Sequence, residues 1–226
     1  MENKFSITFL LLTVCFCVFL ILSNLLEVKI VDFGIFKATG GLLVFPISYI
    51  INDCIVEIYG FRMARFTIWL GFLMNLISVC VIQLAIILPP DSSWAGQEAF
   101  AITFGSTARI LIASFTAMIF GSMVNAYVMS KMKIGQCGQY FSIRAILSTV
   151  FGETVDSLIF FPLAFWSVLP TKTLLALIIA QVCLKTLYEL IALPVTIRVV
   201  AKLKRSENLD VYDYNVNYKW WKIFDI

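Results

Sequence analysis

Six long apolar stretches, separated by short polar segments, set the pattern of hydrophobic positions along this chain. A helix needs about 20 mainly apolar residues to cross the hydrocarbon core of a bilayer. The pattern therefore predicts an all-α integral membrane protein, a bundle of six transmembrane helices that forms a single transmembrane domain over residues 1–226. The predicted spans are residues 5–26, 41–59, 64–88, 100–129, 143–169 and 174–200.

Three segments depart from a plain helical span. The second span is short and has Pro46 near its start, which leaves a half-helix or re-entrant entry open there. Residues 28–37 alternate apolar and polar positions around Gly34, which predicts a short hairpin or lid at the outer surface. Residues 201–226 combine tyrosines and tryptophans with alternating charges. This composition predicts a cytoplasmic tail that lies at the headgroup boundary.

Basic residues cluster in every second connecting segment. Lys and Arg in short loops are retained on the cytoplasmic side during membrane insertion. The start of the chain and the segments after the second, fourth and sixth spans are therefore expected inside, so that both termini are cytoplasmic. The basic residues of these segments are Lys4, Arg62, Arg65, Lys131, Lys133, Arg144, Arg198, Lys202, Lys204 and Arg205.

Composition supports a membrane protein and argues against several function classes. Hydrophobic residues make up 61% of the chain and charged residues 14%, against about 25% charged residues in soluble domains. The net charge is only +3 and no basic stripe is present, so no nucleic-acid partner is expected. The chain has no histidine, no G-x-S-x-G and no H-E-x-x-H sequence, and its cysteines lack metal-ligand spacing. We therefore expect no enzyme, no metal site and no cofactor.

Seven of the charged residues inside the predicted spans stand out as candidates, because a charge at the bilayer centre costs about 2.5 to 3.5 kcal/mol. Six of them form pairs three or four residues apart, so the members of each pair share one face of a helix. Such charges either line a cavity for a polar solute or hold the helices together through ion pairs, and both interpretations stay open. The residues are Asp53 with Glu57, Glu153 with Asp156, Lys185 with Glu189, and Arg109.

Uncharged polar residues extend this pattern. Their amide and hydroxyl groups are candidates to line the same cavity, or else to form hydrogen bonds between helices. The flat rings of Tyr49, Phe45 or Phe160 are candidates to stack on a planar ligand. The polar residues are Asn24, Asn75, Gln83, Asn125, Gln181 and Tyr188.

Several local patterns are shared with one known family. The most specific is residues 45–60, which place a proline, two acids and a Tyr-Gly pair within an apolar span. Over nearly its whole length the chain resembles the queuosine-precursor transporter family, also called the vitamin-uptake transporter family. It departs from the family pattern at Cys54 and at Glu153, where glutamine is usual. Further residues of the pattern are Asn24, Lys29, Arg144, Ser148, Gly152, Asp156, Lys185, Glu189, Pro194, Glu207, Asp210 and Asp213.

The resemblance implies import of queuosine precursors across a bacterial inner membrane for salvage into tRNA. The implied substrates are 7-cyano-7-deazaguanine, 7-aminomethyl-7-deazaguanine or queuine. The implied fold is a six-helix bundle similar to the substrate-binding subunits of energy-coupling-factor transporters, with a partner ATPase module or a homo-oligomer left open. The alternatives are import of another small vitamin or nucleobase, and a structural membrane subunit.

The energy source is open as well. The chain contains no G-x-x-x-x-G-K-[ST] phosphate loop, so it is not expected to hydrolyse ATP itself. Facilitated diffusion, ion-coupled transport through the buried acids and the use of an ATPase partner are the three possibilities.

A buried carboxylate suits a guanine-like edge, because that edge presents two adjacent N–H donors that one carboxylate accepts in bidentate fashion. The carbonyl oxygen of such a ring needs a donor, for which Lys185, Arg109 or an asparagine amide is available. The candidate substrate-binding residues are Asp53, Glu57, Asp156, Lys185, Glu189, Tyr49, Asn24, Arg109 and Asn125.

Overall fold

A computed structural model describes residues 6–26, 29–32, 37–105, 108–168 and 170–223. Nearly all of its regular structure is helical, with one short two-stranded sheet after the first helix. In chain order the elements are α1 (Ile7–Leu26), β1 (Ile30–Asp32), β2 (Lys37–Thr39), a 3-10 helix (Gly40–Leu43), α2 (Phe45–Ile87), α3 (Gln97–Phe104), α4 (Ala108–Gly135), α5 (Phe141–Phe165) and α6 (Thr171–Glu207).

Within the described ranges, five helical regions are long and apolar enough to cross a membrane. They are α1, α2, the region Gln97–Gly135 that contains α3 and α4, α5, and α6. Large apolar side chains such as Ile7, Leu84 and Ile191 are exposed on their outer faces. An exposed apolar surface is expected where lipid surrounds the protein. The prediction of a multi-pass helical membrane protein is confirmed, and the number of crossings depends on α2.

Helix α2 is interrupted at Gly60, whose φ of 83° and ψ of 175° are not helical. Beside this break, the Tyr59 hydroxyl lies 3.1 Å from Ser6 Oγ, at the start of α1. Asn24 lies near the other end of α1. It lines one cavity with a residue of the first arm of α2 that is far from the break. It lines a second cavity with residues of the second arm that are also far from the break. The two arms of α2 therefore run back along α1 from Gly60.

The segment between α1 and α2 contains the hairpin expected near residues 28–37. Strands β1 and β2 pair antiparallel, with Ile30 opposite Thr39, while residues 33–36 lie outside the described residues. A 3-10 helix then leads into α2, and Pro46 stands in the first turn of that helix. A proline at this position removes no helical hydrogen bond. It therefore marks the start of α2 and does not break it.

Two glycines bring α4 and α5 into close contact. A Cβ atom added to Gly121 of α4 would lie 3.0 Å from the Gly152 carbonyl oxygen and 2.8 Å from the Asp156 Cβ atom. A Cβ atom added to Gly152 of α5 would lie 3.0 Å from the Gly121 carbonyl oxygen. Tyr49 of α2 packs against both glycines. Helices α2, α4 and α5 thus meet at one buried point.

The chain after α6 folds back onto the break in α2. Helix α6 continues to Glu207, beyond residue 200, where the predicted sixth span ends. Asp213 Oδ2 accepts a hydrogen bond from the Phe61 amide at 2.9 Å. Arg65 Nη1 donates to the Asn217 carbonyl oxygen at 2.8 Å. The tail is thereby joined to the second arm of α2.

Candidate functional site

Four carboxyl groups and one ammonium group, which we call the inner cluster, lie together inside the bundle. Three helices supply them, and on α5 and α6 the residues share a face because they are three or four positions apart. All five have a relative exposure of 9% or less. The members are Asp53 of α2, Glu153 and Asp156 of α5, and Lys185 and Glu189 of α6.

Lys185 joins the three helices of the inner cluster. Its Nζ atom lies 2.7 Å from Glu153 Oε2 and 3.6 Å from Asp156 Oδ2. The same atom lies 3.8 Å from the centroid of the Phe45 ring, which is a cation–π contact. Glu153 Oε1 receives no hydrogen bond from any described residue. The ammonium group is thus held between α5 and α2.

Asp53 of α2 and Glu189 of α6 are the most deeply placed acids of the inner cluster outside the ion pairs of Lys185, with relative exposures of 0% and 3%. Ser148 Oγ donates to Asp53 Oδ1 at 3.4 Å, and Asn52 Nδ2 donates to Asn125 Oδ1 at 2.8 Å. Asp53 Oδ2 and Glu189 Oε2 receive no hydrogen bond from a donor of any described residue.

A cavity of about 90 Å³ opens beside the inner cluster. One water molecule needs roughly 10–15 Å³ by this measure, so the cavity holds several. The cavity lies at the hairpin end of the bundle, because Gly41 and Leu42 form part of its wall. Its polar and aromatic lining includes Asn24, Phe45, Asp156, Phe160, Gln181 and Lys185.

The cavity combines three kinds of contact. The Asp156 carboxylate accepts hydrogen bonds, the Lys185 ammonium donates them, and the Phe45 and Phe160 rings offer flat apolar surface. A purely apolar ligand would cover the polar groups of Asp156 and Lys185 without a hydrogen bond to them, which costs free energy. The arrangement therefore suits a small, flat and polar solute, as ligand sites with a few polar groups in an apolar wall generally do.

A second group of charges, which we call the tail cluster, closes the bundle at the break in α2. Arg144 Nη2 donates to both carboxylate oxygens of Glu57 at 2.8 Å. Lys204 Nζ lies 2.7 Å from Glu57 Oε1 and 2.8 Å from Asp210 Oδ1. Lys133 Nζ lies 2.6 Å from Asp210 Oδ1. These five residues link α2, α4, α5 and α6 to the tail.

Eight of the nine predicted site residues fall into three groups. One group lines the cavity, a second lies deeper between the helices, and Glu57 belongs to the tail cluster. Asn24 in the first group also accepts a hydrogen bond from Ser114 Oγ at 3.3 Å. The cavity group is Asn24, Asp156 and Lys185, and the deeper group is Tyr49, Asp53, Asn125 and Glu189.

Arg109 lies apart from these groups. Its Nε atom donates to the Leu163 carbonyl oxygen at 2.6 Å, and its Nη2 atom donates to the Trp166 carbonyl oxygen at 2.8 Å. The last carbonyl groups of a helix have no partner within the helix. The exposed Arg109 side chain therefore caps the end of α5, and its neighbour Ile110 lines the cavity instead.

Two sets of residues are missing from the predicted site. Glu153 is absent from it, yet its carboxylate contacts Lys185; its spacing of three from Asp156 was the available signal. Apart from Glu57, the tail cluster is also missing, because Lys133 and Lys204 are expected from the sequence only as cytoplasmic loop charges. Asp210, which follows α6, was the available signal, because its carboxylate contacts both lysines.

Comparisons with known proteins identify a family and several relatives that this chain resembles. Residues 39–199 match the family model described as "Putative vitamin uptake transporter". The "Probable queuosine precursor transporter" of Bacillus subtilis is 31% identical over 173 residues, which cover 76% of each chain.

Two further relatives match over shorter regions. The "Queuosine precursor transporter" of Escherichia coli is 31% identical over 131 residues, 58% of this chain and 57% of the relative. The "Probable queuosine precursor transporter" of Haemophilus influenzae is 30% identical over 135 residues, 60% of this chain and 54% of the relative. All three relatives are named as transporters and not as enzymes. No solved structure matches the chain.

Proposed function

Since this chain belongs to the vitamin uptake transporter family, we propose that it imports queuosine precursors for salvage into tRNA. The proposed substrates are 7-cyano-7-deazaguanine, 7-aminomethyl-7-deazaguanine or queuine. The observation that carries the proposal is the cavity that Asp156, Lys185 and Phe45 line together. It offers an acceptor, a donor and an aromatic face to one small solute.

In the proposed binding mode, the deazaguanine ring stacks on Phe45 and its polar edges contact the inner cluster. The two N–H groups of the guanine-like edge donate to the Asp156 carboxylate, which accepts them in bidentate fashion. Lys185 donates to the ring carbonyl oxygen. The 3.8 Å distance from Lys185 Nζ to the Phe45 ring supports this arrangement, because a ligand beside the ring is within reach of the ammonium group.

We also propose that the chain crosses the membrane six times. The 43 residues of α2 would measure about 65 Å as one straight helix, at 1.5 Å per residue, which is twice the hydrocarbon thickness of about 30 Å. The return at Gly60 divides α2 into a short first arm of about 22 Å and a longer second arm of about 40 Å, and we propose that each arm makes one crossing. The six-helix likeness to energy-coupling-factor subunits, an ATPase partner and a homo-oligomer stay predictions.

The proposed orientation places the tail cluster on the cytoplasmic side of a bacterial inner membrane. Arg62, Arg65 and the tail cluster's Lys133, Arg144 and Lys204 gather at the Gly60 end of the bundle. Because cytoplasmic segments carry an excess of Lys and Arg, both termini lie inside in this proposal. The cavity then opens toward the outside.

The test is uptake in a bacterial strain that can neither make nor import queuosine precursors. The chain is expressed in this strain, a precursor is supplied at a low concentration, and queuosine in tRNA is measured. We expect restoration by the unaltered chain and by the exposed-loop control Asp91→Asn, and a clear loss with Asp156→Asn and Asp53→Asn at equal membrane abundance. Normal queuosine levels with both inner-cluster variants would refute the carboxylate model, and no restoration by the unaltered chain would refute the proposed substrate.

A further inference from the structure

The second cavity that Asn24 lines shares part of its wall with the first. Asn24 and Leu111 line both cavities, and the hydrogen bond from Ser114 Oγ to Asn24 Oδ1 joins α4 to α1 at this shared wall. We call the second cavity the side cavity, and its volume is about 30 Å³. Since one water molecule needs roughly 10–15 Å³ by this measure, the side cavity has room for about two or three water-sized groups.

Asn75 reaches the side cavity through a regular packing face on the second arm of α2. Thr67, Gly71 and Asn75 follow one another at intervals of four residues and share this face. Thr67 Oγ1 lies 3.2 Å from Thr13 Oγ1 of α1, and a Cβ atom added to Gly71 would lie 2.6 Å from Phe16 Cε1 of α1. The next position on the face is Asn75, which lines the side cavity. Its place in the cavity wall thus follows from the close packing of α2 on α1.

The Asn75 amide is a buried donor. The residue has a relative exposure of 1%, and its Nδ2 atom has no acceptor among the described residues. A buried donor without an acceptor costs free energy, which a ligand with an acceptor atom recovers. The described lining of the side cavity contains no charged residue, so nothing in it would neutralise an ionic group. The polar members of this lining are Asn24, Asn75, Ser78, Gln83 and Thr103.

We propose that the side cavity is a specificity subsite for the 7-substituent of the solute, and that Asn75 Nδ2 donates to a neutral acceptor on this substituent. The inference rests on the proposed import function and on the binding mode in which Asp156 accepts the guanine-like edge. The 7-substituent is attached to the five-membered ring, at the end of the ring system away from that edge. A ring held by Asp156 therefore directs the substituent away from α5, and the side cavity behind Asn24 of α1 has room for it.

The size and neutrality of the side cavity select the 7-cyano precursor. A cyano group consists of one carbon and one nitrogen, carries no charge and accepts a hydrogen bond. An aminomethyl group is protonated at neutral pH, so it would be a buried cation without a carboxylate. It would also lie near a like charge, because the 7-position is next to the ring carbonyl group that accepts from Lys185. The 7-substituent of queuine contains a carbon ring and exceeds the volume of the side cavity.

The test measures binding by the purified full chain in detergent, with three ligands that share the guanine-like edge. These ligands are 7-cyano-7-deazaguanine, 7-aminomethyl-7-deazaguanine and 7-deazaguanine, which has no 7-substituent. Calorimetry gives the dissociation constant of each ligand. The variant Asn75→Leu replaces the amide with an apolar group of similar size. The control Asn215→Leu makes the same change at an exposed position of the tail.

We expect the unaltered chain and Asn215→Leu to bind the 7-cyano compound about tenfold more tightly than either other ligand. In Asn75→Leu, binding of the 7-cyano compound should weaken about five- to tenfold, which is the effect of one neutral hydrogen bond. The dissociation constant of 7-deazaguanine should stay the same in this variant, because that ligand has no group in the side cavity.

Equal binding of the three ligands by the unaltered chain, or tighter binding of the aminomethyl compound, would overturn the subsite and leave the import function standing. This comparison needs no variant, so it decides the matter even if Asn75→Leu does not fold. Full affinity for the 7-cyano compound in Asn75→Leu, or an equal loss for 7-deazaguanine, would overturn the assignment to Asn75. Binding of none of the three ligands by the unaltered chain would instead overturn the import function itself.

Discussion

Lys185 Nζ lies 2.7 Å from Glu153 Oε2, and this ion pair joins α6 to α5 in the interior of the bundle. Their side chains have relative exposures of 11% and 1%. Taking two charges out of water is costly, and the cost is recovered only while both partners are present. Replacing either side chain therefore leaves the other one as a buried charge without this partner, which should lower the stability of the bundle.

The first prediction concerns the two partners of this ion pair. Lys185→Met should lower the free energy of unfolding by about 3 to 5 kcal/mol, because it leaves Glu153 and Asp156 without their cation. Glu153→Gln should cost less, because the glutamine oxygen still accepts a hydrogen bond from Lys185. Thermal unfolding of both variants in detergent measures the difference. Equal midpoints for Lys185→Met and the unaltered chain would show that the ion pair does not stabilise the bundle.

The second prediction concerns the buried contact between Glu57 and Arg144 in the tail cluster. Arg144→Met should lower the unfolding midpoint strongly, since Glu57 then loses the cation that bonds to both of its carboxylate oxygens. The double variant Glu57→Met with Arg144→Met should lose less than the sum of the two single variants, because coupled partners are not additive. Arg198→Met on the exposed face of α6 is the matched control and should change little. Additive losses would contradict a direct coupling.

The third prediction concerns the return of the chain at Gly60. Alanine at this position would need the φ of 83° that L-residues rarely adopt, and its Cβ atom would lie 2.8 Å from Asp213 Oδ1 and 2.9 Å from Val211 Cγ1. We expect Gly60→Ala to reduce folded protein in the membrane and to free the tail for proteolysis. Gly135→Ala is the control, because a Cβ atom there meets nothing within 4 Å. Equal protease resistance of the two variants would contradict the role of Gly60.

The fourth prediction concerns the pH dependence of tail docking. Burial opposes ionisation of Asp210, but the hydrogen bonds from Lys133 and Lys204 outweigh it and lower the pKa of Asp210 below its ordinary value of 3.8. A carboxyl group with a lowered pKa in the folded state stabilises above its ordinary pKa and loses that contribution as the pH falls through the lowered value. The tail should therefore stay docked at pH 5 and loosen only below about pH 3.8.

Tryptophan fluorescence measures this transition, because the Trp220 ring stacks on Trp69 with centroids 6.0 Å apart. A red shift of the emission is expected only in the acid range. In Asp210→Asn the tail should be loosened already at pH 5 and should show a smaller change on acidification. An unchanged acid transition in that variant would show that another group controls docking.

The sequence predicts the features that depend on local pattern. Apolar runs identify the helical regions, and the alternation around residues 28–37 identifies the hairpin whose strands are β1 and β2. The spacings of three and four place Glu153 with Asp156 and Lys185 with Glu189 on shared helix faces. Asp156 and Lys185 were predicted as site residues from these spacings. In the structure both residues line the cavity.

The sequence does not reveal which side chains from distant segments contact each other. Lys204 contacts Glu57 across 147 residues of chain, and no local spacing relates the two. Arg109 looks from the sequence like a charge inside a span, yet its donors reach the carbonyl groups at the end of α5. Pairings of this kind are decided by how the helices pack, which the hydrophobic pattern leaves open.

Binding of a 7-deazaguanine by the purified chain tests the proposed function most directly. Binding of 7-cyano-7-deazaguanine is measured by calorimetry in detergent, with adenine as the comparison ligand and with the Asp156→Asn variant alongside. We predict saturable binding of the deazaguanine, at least tenfold weaker binding of adenine, which lacks the paired N–H edge, and at least tenfold weaker deazaguanine binding by the variant. Equal binding of the two ligands, or full affinity in Asp156→Asn, would contradict the proposal that this carboxylate reads the guanine-like edge.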